Sequence, residues 1–136
     1  MDTTRQVEYF YVQVPDKPGE GARALATLRD AGVNLLVYSG FPAGRRAQLD
    51  FVPGDPVAFR EAARKAKWKV KGPKRAFLIE GADRVGACAE ILGRLAAAKI
   101  NVTAMNALAT GGGRWAAILW VKPGAFKKAA MVLGAQ

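Results

Sequence analysis

The sequence predicts an α+β protein built from two copies of a small βαββαβ unit in tandem. Three observations lead to this prediction. The chain has 136 residues, an internal repeat runs along it at a constant offset, and each repeat alternates between strand and helix periodicity. A unit of about 65–70 residues buries only roughly 60% of its unfolded surface. We therefore expect the two units to pack as one pair.

The repeat is visible when the sequence is shifted over itself by 67 positions. Identical residues then meet at seven places, each three positions after the last: Asp16 and Asp83, Gly19 and Gly86, Ala22 and Ala89, Leu25 and Leu92, Leu28 and Leu95, Ala31 and Ala98, Asn34 and Asn101. The same offset later aligns Pro56 with Pro123 and Phe59 with Phe126. Self-similarity of this kind indicates a repeated structural unit.

The first unit can be divided into elements from local pattern. Segment 7–14 is aromatic and β-branched and ends at a proline, which predicts a strand. Apolar residues with helical spacing in 18–31, followed by Gly32, predict a helix. Segments 33–41 and 46–52 form a predicted hairpin, and Asp55-Pro56 opens a second helix. The alternation in Lys67–Lys71 predicts a short last strand, and Gly72-Pro73 marks the boundary.

The second unit repeats this order, with strands 75–80, 101–108 and 114–122 and helices 85–98 and 126–133. Only three residues follow the last helix, so this unit lacks a clear last strand, which is either missing or supplied from elsewhere. The predicted units are 1–73 and 74–136. Each is expected to be ferredoxin-like, with antiparallel strands and both helices on one face of the sheet.

Composition narrows the function classes. The chain has no histidine and one cysteine, which removes the usual general base and the commonest metal ligand and excludes an intrachain disulfide. We therefore predict no catalytic residue, no metal site and no cofactor. The sequence shows neither a signal peptide nor an apolar segment long enough to span a membrane, which predicts a cytoplasmic protein.

The turns between the first strand and first helix of each unit have the chemistry of a binding site. Each places an Asp and a Gly at a helix N-terminus, where backbone N–H groups attract an anion and glycine allows close approach. A free amino acid offers a carboxylate for such N–H groups, and an Asp or Asn oxygen can take its ammonium. Helix capping by the Asp residues and turn geometry at the glycines are the alternative interpretations.

The segment Asp-Lys-Pro-Gly-Glu-Gly, a helix and then Ala-Gly-Val-Asn resembles the ACT domain, a regulatory module of amino-acid biosynthetic enzymes. The second unit matches this pattern with Val85 in place of the proline and Lys99 in place of the glycine. The resemblance implies a stand-alone sensor that binds an amino acid at the interface between modules, forms a homodimer and regulates an enzyme or another protein partner. The ligand-binding residues that it implies are Asp16, Pro18, Gly19, Glu20, Asn34, Asp83, Val85, Gly86, Ala87 and Asn101.

Two other functions were considered. The formal net charge is +10, and eight basic residues lie between Arg60 and Arg75, so nucleic-acid binding by this 60–75 surface is the alternative to the sensor. The third strands lack the glycine and aromatic pattern of RNA-recognition motifs, which makes nucleic acid the less favoured partner. Gly19–Ala24 fits a dinucleotide-binding glycine pattern, but no acidic residue ends the second strand as that fold requires.

Overall fold

The computed structural model describes residues 2–136, which form six strands and four helices. In chain order the elements are β1 (Thr3–Pro15), α1 (Glu20–Asp30), β2 (Leu35–Ala43), β3 (Arg46–Pro53), α2 (Pro56–Lys65), β4 (Lys71–Ala82), α3 (Ala87–Ala97), β5 (Ala104–Ala109), β6 (Arg114–Trp120) and α4 (Pro123–Leu133). The order follows the predicted βαββαβ repeat, except that the single strand β4 stands where the sequence predicted two strands, and no strand follows α4. None of the four helices is long and apolar enough to cross a bilayer.

The chain forms two compact units, and both β1 and β4 contribute to each of them. The N-terminal unit is Glu8–Lys74, and the C-terminal unit is the chain up to Val7 together with Arg75–Gln136. The sequence had predicted units 1–73 and 74–136, so the difference lies mainly in the first residues. The backbone N–H of Gln6 donates to the Gln136 carbonyl at 2.9 Å, and that of Gln136 donates to the Thr4 carbonyl at 3.1 Å. The first residues of β1 therefore supply the strand that the second repeat lacks.

In the N-terminal unit, β3 lies between β1 and β2 and is antiparallel to both. Phe51 of β3 pairs with Phe10 of β1 and Tyr38 of β2. The helix side of this sheet carries an aromatic core, because the Phe59 ring of α2 lies 4.8 Å from that of Phe10 and 5.4 Å from that of Phe51. Trp68 closes the core, with its ring 5.9 Å from Phe51.

In the C-terminal unit, β6 lies between β4 and β5 and is antiparallel to both. Ile79 pairs with Ala117, which also pairs with Ala107. The core on the helix side contains Phe77, whose ring stacks on that of Phe126 at 4.4 Å. The buried residues of α3 and α4 in this core, such as Leu95 and Leu133, recur at the helical period that the sequence showed.

The predicted strand Lys67–Lys71 is wrong, since β4 begins at Lys71 and continues through Gly72 and Pro73, and the division between the units after Lys74 lies within this strand. Lys67 instead adopts a left-handed conformation, and the Trp68 N–H donates to the Ala63 carbonyl at 3.0 Å, which completes the end of α2. At Gly72 a Cβ atom would lie 2.8 Å from the Tyr9 carbonyl oxygen. Glycine is therefore required there because β1 approaches closely, and it does not mark a linker.

The helix ends show that the two units repeat in backbone geometry as well as in sequence. After α1, Gly32 has φ 73° and the Val33 N–H donates to the Leu28 carbonyl. After α3, Lys99 has φ 61° and the Ile100 N–H donates to the Leu95 carbonyl at the same distance of 2.9 Å. A side chain in this conformation is strained by crowding against the backbone. The C-terminal unit thus retains the turn although it has lost the glycine.

This strain predicts that Lys99→Gly stabilises the protein. Relief of the left-handed conformation should raise the free energy of unfolding by about 1 kcal/mol, and Gly32→Lys should lower it by a similar amount. Urea denaturation followed by circular dichroism measures both changes. Lys99→Ala is the control, because it removes the charge and keeps the strain. Equal stabilisation by Lys99→Ala and Lys99→Gly would contradict the argument.

Candidate functional site

The candidate site is a cavity of about 290 Å³ in the C-terminal unit, which we call the α3 cavity. It lies between the turn that opens α3 and strand β5. Its volume is at the lower end of the roughly 300–1,000 Å³ of small-molecule sites, which favours a small ligand. The lining residues are Asp83, Arg84, Gly86, Ala87, Cys88, Ala89, Ala107, Leu108, Ala109 and Trp115.

Gly86 determines how α3 presents its first turn to this cavity. It is the N-cap residue with φ 85°, and no side chain caps the helix start. Gly19 holds the equivalent position before α1, with φ 92° and again without a side-chain cap. The Asp residues of both turns therefore do not cap the helices. Asp83, Gly86 and the first-turn residues of α3 line one cavity.

Arg84 joins this turn to the N-terminal segment. Its Nη1 and Nη2 atoms each lie 3.0 Å from an oxygen of the Asp2 carboxylate, and Nη2 lies 2.7 Å from Glu90 Oε2. Asp2 also accepts from Trp115 Nε1 at 3.1 Å. Gly81 makes room for this arrangement, because a Cβ atom there would overlap the Asp2 carboxylate. The guanidinium is thus held by two carboxylates and fixes one wall of the cavity.

The hydrogen bonds and charge of Arg84 lower the pKa of Asp2, against the opposing effect of burial. The same contacts with Asp2 and Glu90 raise the pKa of Arg84. Only 8% of the Asp2 side chain is exposed, so solvent screens this ion pair little. The pair therefore holds the first residues of the chain on the C-terminal unit at neutral pH.

The N-terminal unit differs at the equivalent place because Tyr38 occupies it. A Cβ atom on Gly21 would lie 3.0 Å from the Tyr38 hydroxyl oxygen, and one on Gly40 would lie 3.1 Å from it. The repeat offset and strand register make Gly21 equivalent to Cys88 and Gly40 equivalent to Ala107, which both line the α3 cavity. Burial raises the pKa of the Tyr38 hydroxyl. The tyrosine ring thus fills space that is open in the C-terminal unit.

The predicted site residues are only partly brought together. Asp83, Gly86 and Ala87 line the α3 cavity, whereas Val85 is fully exposed beside it and Asn101 lies outside its lining. In the N-terminal unit, Glu20 lines a second cavity, described below. The remaining four candidates are exposed and line neither cavity: Asp16, Pro18, Gly19 and Asn34.

Sequence reasoning missed Arg84, Trp115 and Asp2. Arg84 stands inside the predicted motif, and its position between Asp83 and Gly86 was a usable signal. Trp115 is 3% exposed and lines the cavity, and no motif in the sequence indicates this position. Nothing in the sequence pattern connects Asp2 with residues more than eighty positions away.

The Asp2–Arg84 pair predicts a pH-dependent loss of stability in Asp2→Asn. A carboxylate whose pKa is lowered by folding stabilises the protein above its unfolded pKa and loses that contribution as the pH falls through its folded pKa. We expect the variant to lose about 1–3 kcal/mol of unfolding free energy at pH 7. The difference in unfolding free energy between the variant and the unmodified protein should become smaller below about pH 4. Urea titrations at pH 7 and at pH 3 measure this difference.

Asp16→Asn is the matched control for Asp2→Asn, because Asp16 lies on the exposed turn of the other unit. We expect a change within about 0.5 kcal/mol, as for ordinary surface substitutions. A loss in Asp2→Asn that is the same at pH 7 and pH 3 would show that the charge is not responsible.

No family model and no curated protein match the sequence, whereas solved structures match its fold. A protein from Bacteroides thetaiotaomicron superposes with a TM-score of 0.84 at 18% identity, covering 96% of this chain and 88% of that one. The ligand-free regulatory subunit of aspartate kinase from Thermus thermophilus gives a TM-score of 0.64 at 18% identity, covering 98% and 94%.

A third match is aspartokinase III from E. coli in complex with aspartate and ADP, with a TM-score of 0.56 at 13% identity. It covers 97% of this chain but 32% of that enzyme. At these identities the matches show the fold alone. The prediction of an α+β, ferredoxin-like architecture is confirmed, and the chain has the ACT-like fold of aspartate kinase regulatory domains.

Proposed function

We propose that this chain is a regulatory protein without catalytic activity that binds a free amino acid in the α3 cavity. The observation that carries the proposal is the combination of the uncapped α3 N-terminus and the Asp83 carboxylate in one small cavity. The backbone N–H groups suit the ligand's carboxylate, and Asp83 suits its ammonium. The structural neighbours support a regulatory role, since two of them are named as regulatory subunits of aspartate kinase.

The wall opposite α3 limits the ligand's side chain. Ala107, Leu108 and Ala109 of β5 line the cavity, together with the Trp115 ring. These surfaces are apolar and offer no charged partner for a ligand side chain, so we expect a small or apolar amino acid. Arg84 is already bonded to Asp2 and Glu90, and we therefore assign recognition of the ligand's carboxylate to the backbone of α3.

Output from the sensor requires a partner. We propose that ligand binding shifts the equilibrium between conformations of the α3 turn and thereby changes the affinity for a regulated enzyme or other protein. Homodimer formation and a ligand position at an interface between modules, which the ACT resemblance implies, remain predictions.

Four of the eight basic residues of the 60–75 surface make contacts within the chain. Arg60 lies over the Phe10 ring at 5.8 Å, and Lys74 lies over the Tyr11 ring at 5.2 Å. Arg64 pairs with Glu61 at 2.6 Å, and Arg75 lies 4.1 Å from the centre of the Phe126 ring. Cation–π contacts and ion pairs of this kind have structural roles. Nucleic-acid binding therefore serves here as a control and not as a second proposal.

The proposal predicts that one or a few amino acids raise the melting temperature in a screen of all twenty. A ligand that binds only the native state adds about 2.7 kcal/mol of stability at a concentration one hundred times its Kd. A short single-stranded oligonucleotide at physiological salt should give no shift. A shift with the oligonucleotide alone would instead support the nucleic-acid alternative.

Ala89→Phe should then weaken binding of the identified amino acid by at least about tenfold, because the ring would enter the cavity and exclude the ligand. Ala22→Phe is the matched control, since Ala22 is exposed at the equivalent position of α1. Isothermal titration calorimetry on both variants locates the site. Loss of affinity in Ala22→Phe only, or in neither variant, would show that the α3 cavity is not the binding site.

A further inference from the structure

The N-terminal unit contains a second cavity of about 400 Å³, larger than the α3 cavity. It lies between β1, the outward side of α1 and the segment that follows α2, and we call it the α1 cavity. Its position differs from that of the α3 cavity, because β1, α1 and the segment after α2 line it and no residue of β2 does. Its lining residues are Val12, Gln13, Val14, Glu20, Arg23, Ala24, Thr27, Ala66, Trp68 and Lys69.

Comparison of equivalent positions explains why this space is open. Thr27 corresponds to Arg94 and Ala66 corresponds to Leu133 at the repeat offset. In the C-terminal unit the Arg94 guanidinium donates to the Val132 carbonyl, and Leu133 is buried in the core. In the N-terminal unit Thr27 is too short to reach across, and its hydroxyl donates to the Arg23 carbonyl at 3.0 Å. Two large side chains are thus replaced by two small ones, while Trp68 stands where the C-terminal unit has Ala135.

The backbone around the cavity is the same in both units, so the difference lies in the side chains. Lys67 and Gly134 have φ 60° and 64° at equivalent positions. The Trp68 and Ala135 N–H groups each donate to the equivalent alanine carbonyl, at 3.0 and 2.9 Å. The α1 cavity is a cleft open to solvent, and its volume of about 400 Å³ lies within the range of small-molecule sites.

The lining combines an aromatic surface with positive charge at the rim. Trp68 packs one side of its ring system against Phe51 at 5.9 Å and presents the remainder to the cavity. Val12, Val14 and Ala24 add apolar surface from the sheet and from α1. Planar apolar ligands stack on such surfaces.

The charges at the rim favour an anionic group on the ligand. The Glu20 carboxylate is paired with the Arg23 guanidinium, so its charge is compensated. Lys69 lines the cavity and forms no salt bridge within residues 2–136. The remaining positive charge attracts an anion and disfavours a cation.

We propose that the α1 cavity is a second small-molecule site, specific for a planar aromatic ligand that carries one anionic group. The aromatic ring lies against Trp68 and the valines of β1, and the anionic group lies at the rim near Lys69. The site is separate from the α3 cavity, and it does not depend on the proposed amino-acid site being correct.

Three probes of equal ring size test the proposal: indole-3-acetate, 3-methylindole and tryptamine, which are anionic, neutral and cationic. Isothermal titration calorimetry should show binding of indole-3-acetate, with 3-methylindole weaker and tryptamine weakest. Ala66→Leu restores the side chain found at the equivalent position of the other unit and should weaken indole-3-acetate binding at least about tenfold. Thr27→Met fills the same space without charge and should do the same.

Controls distinguish this site from the first. Ala89→Phe should leave indole-3-acetate binding unchanged, because Ala89 belongs to the α3 cavity. The melting temperatures of Ala66→Leu and Thr27→Met show whether each variant is folded, and either folded variant is sufficient for the test. No binding of indole-3-acetate at millimolar concentration, unchanged affinity in a folded filled variant, or tighter binding of tryptamine would each overturn the proposal.

Discussion

The fold depends on two long strands that each contribute to both units. β1 passes from the C-terminal unit into the N-terminal unit at Val7, and β4 passes in the opposite direction after Lys74. The N-terminal unit is the continuous stretch Glu8–Lys74, whereas the C-terminal unit consists of two separate segments of the chain. The second repeat obtains its missing strand from the first residues of the chain. Because these residues belong to the C-terminal unit, Asp2 lies within hydrogen-bond distance of Arg84 and Trp115. The candidate amino-acid site thus rests on backbone pairing between the two ends of the chain.

Most of the architecture could be predicted because the hydrophobic period and the repeat are local signals. The helices begin and end within a few residues of the predicted bounds, and the hairpin between β2 and β3 lies where the sequence placed it. The segment Lys67–Lys71 was predicted as a strand because its residues alternate, whereas a left-handed turn at Lys67 ends α2 and β4 begins only at Lys71. At Lys99 a left-handed turn is present without the glycine that normally indicates such a turn in a sequence.

The site was harder to predict than the fold. Gly86 and Asp83 carry a local chemical signal and do line the α3 cavity. What distinguishes the two copies is the volume of side chains that come from elements far apart in sequence. Tyr38 fills the place that is open beside Cys88, whereas Thr27 and Ala66 leave open the place that Arg94 and Leu133 occupy. Such differences depend on strand register, which one sequence does not determine. One space is thus open in the C-terminal unit and filled in the N-terminal unit, and the reverse holds for the other space.

The hydrogen bonds between Gln136 and the first strand also set an order of events during synthesis. Residues 3–7 leave the ribosome early, but their hydrogen bonds with Gln136 form only after that residue has left the exit tunnel. Contacts of such sequence separation form slowly, because a long loop must close before they contribute. The N-terminal unit has its own core and is available earlier. A nascent chain interrupted within α4 would therefore expose the edge of β1 to other chains, as an open strand edge invites pairing.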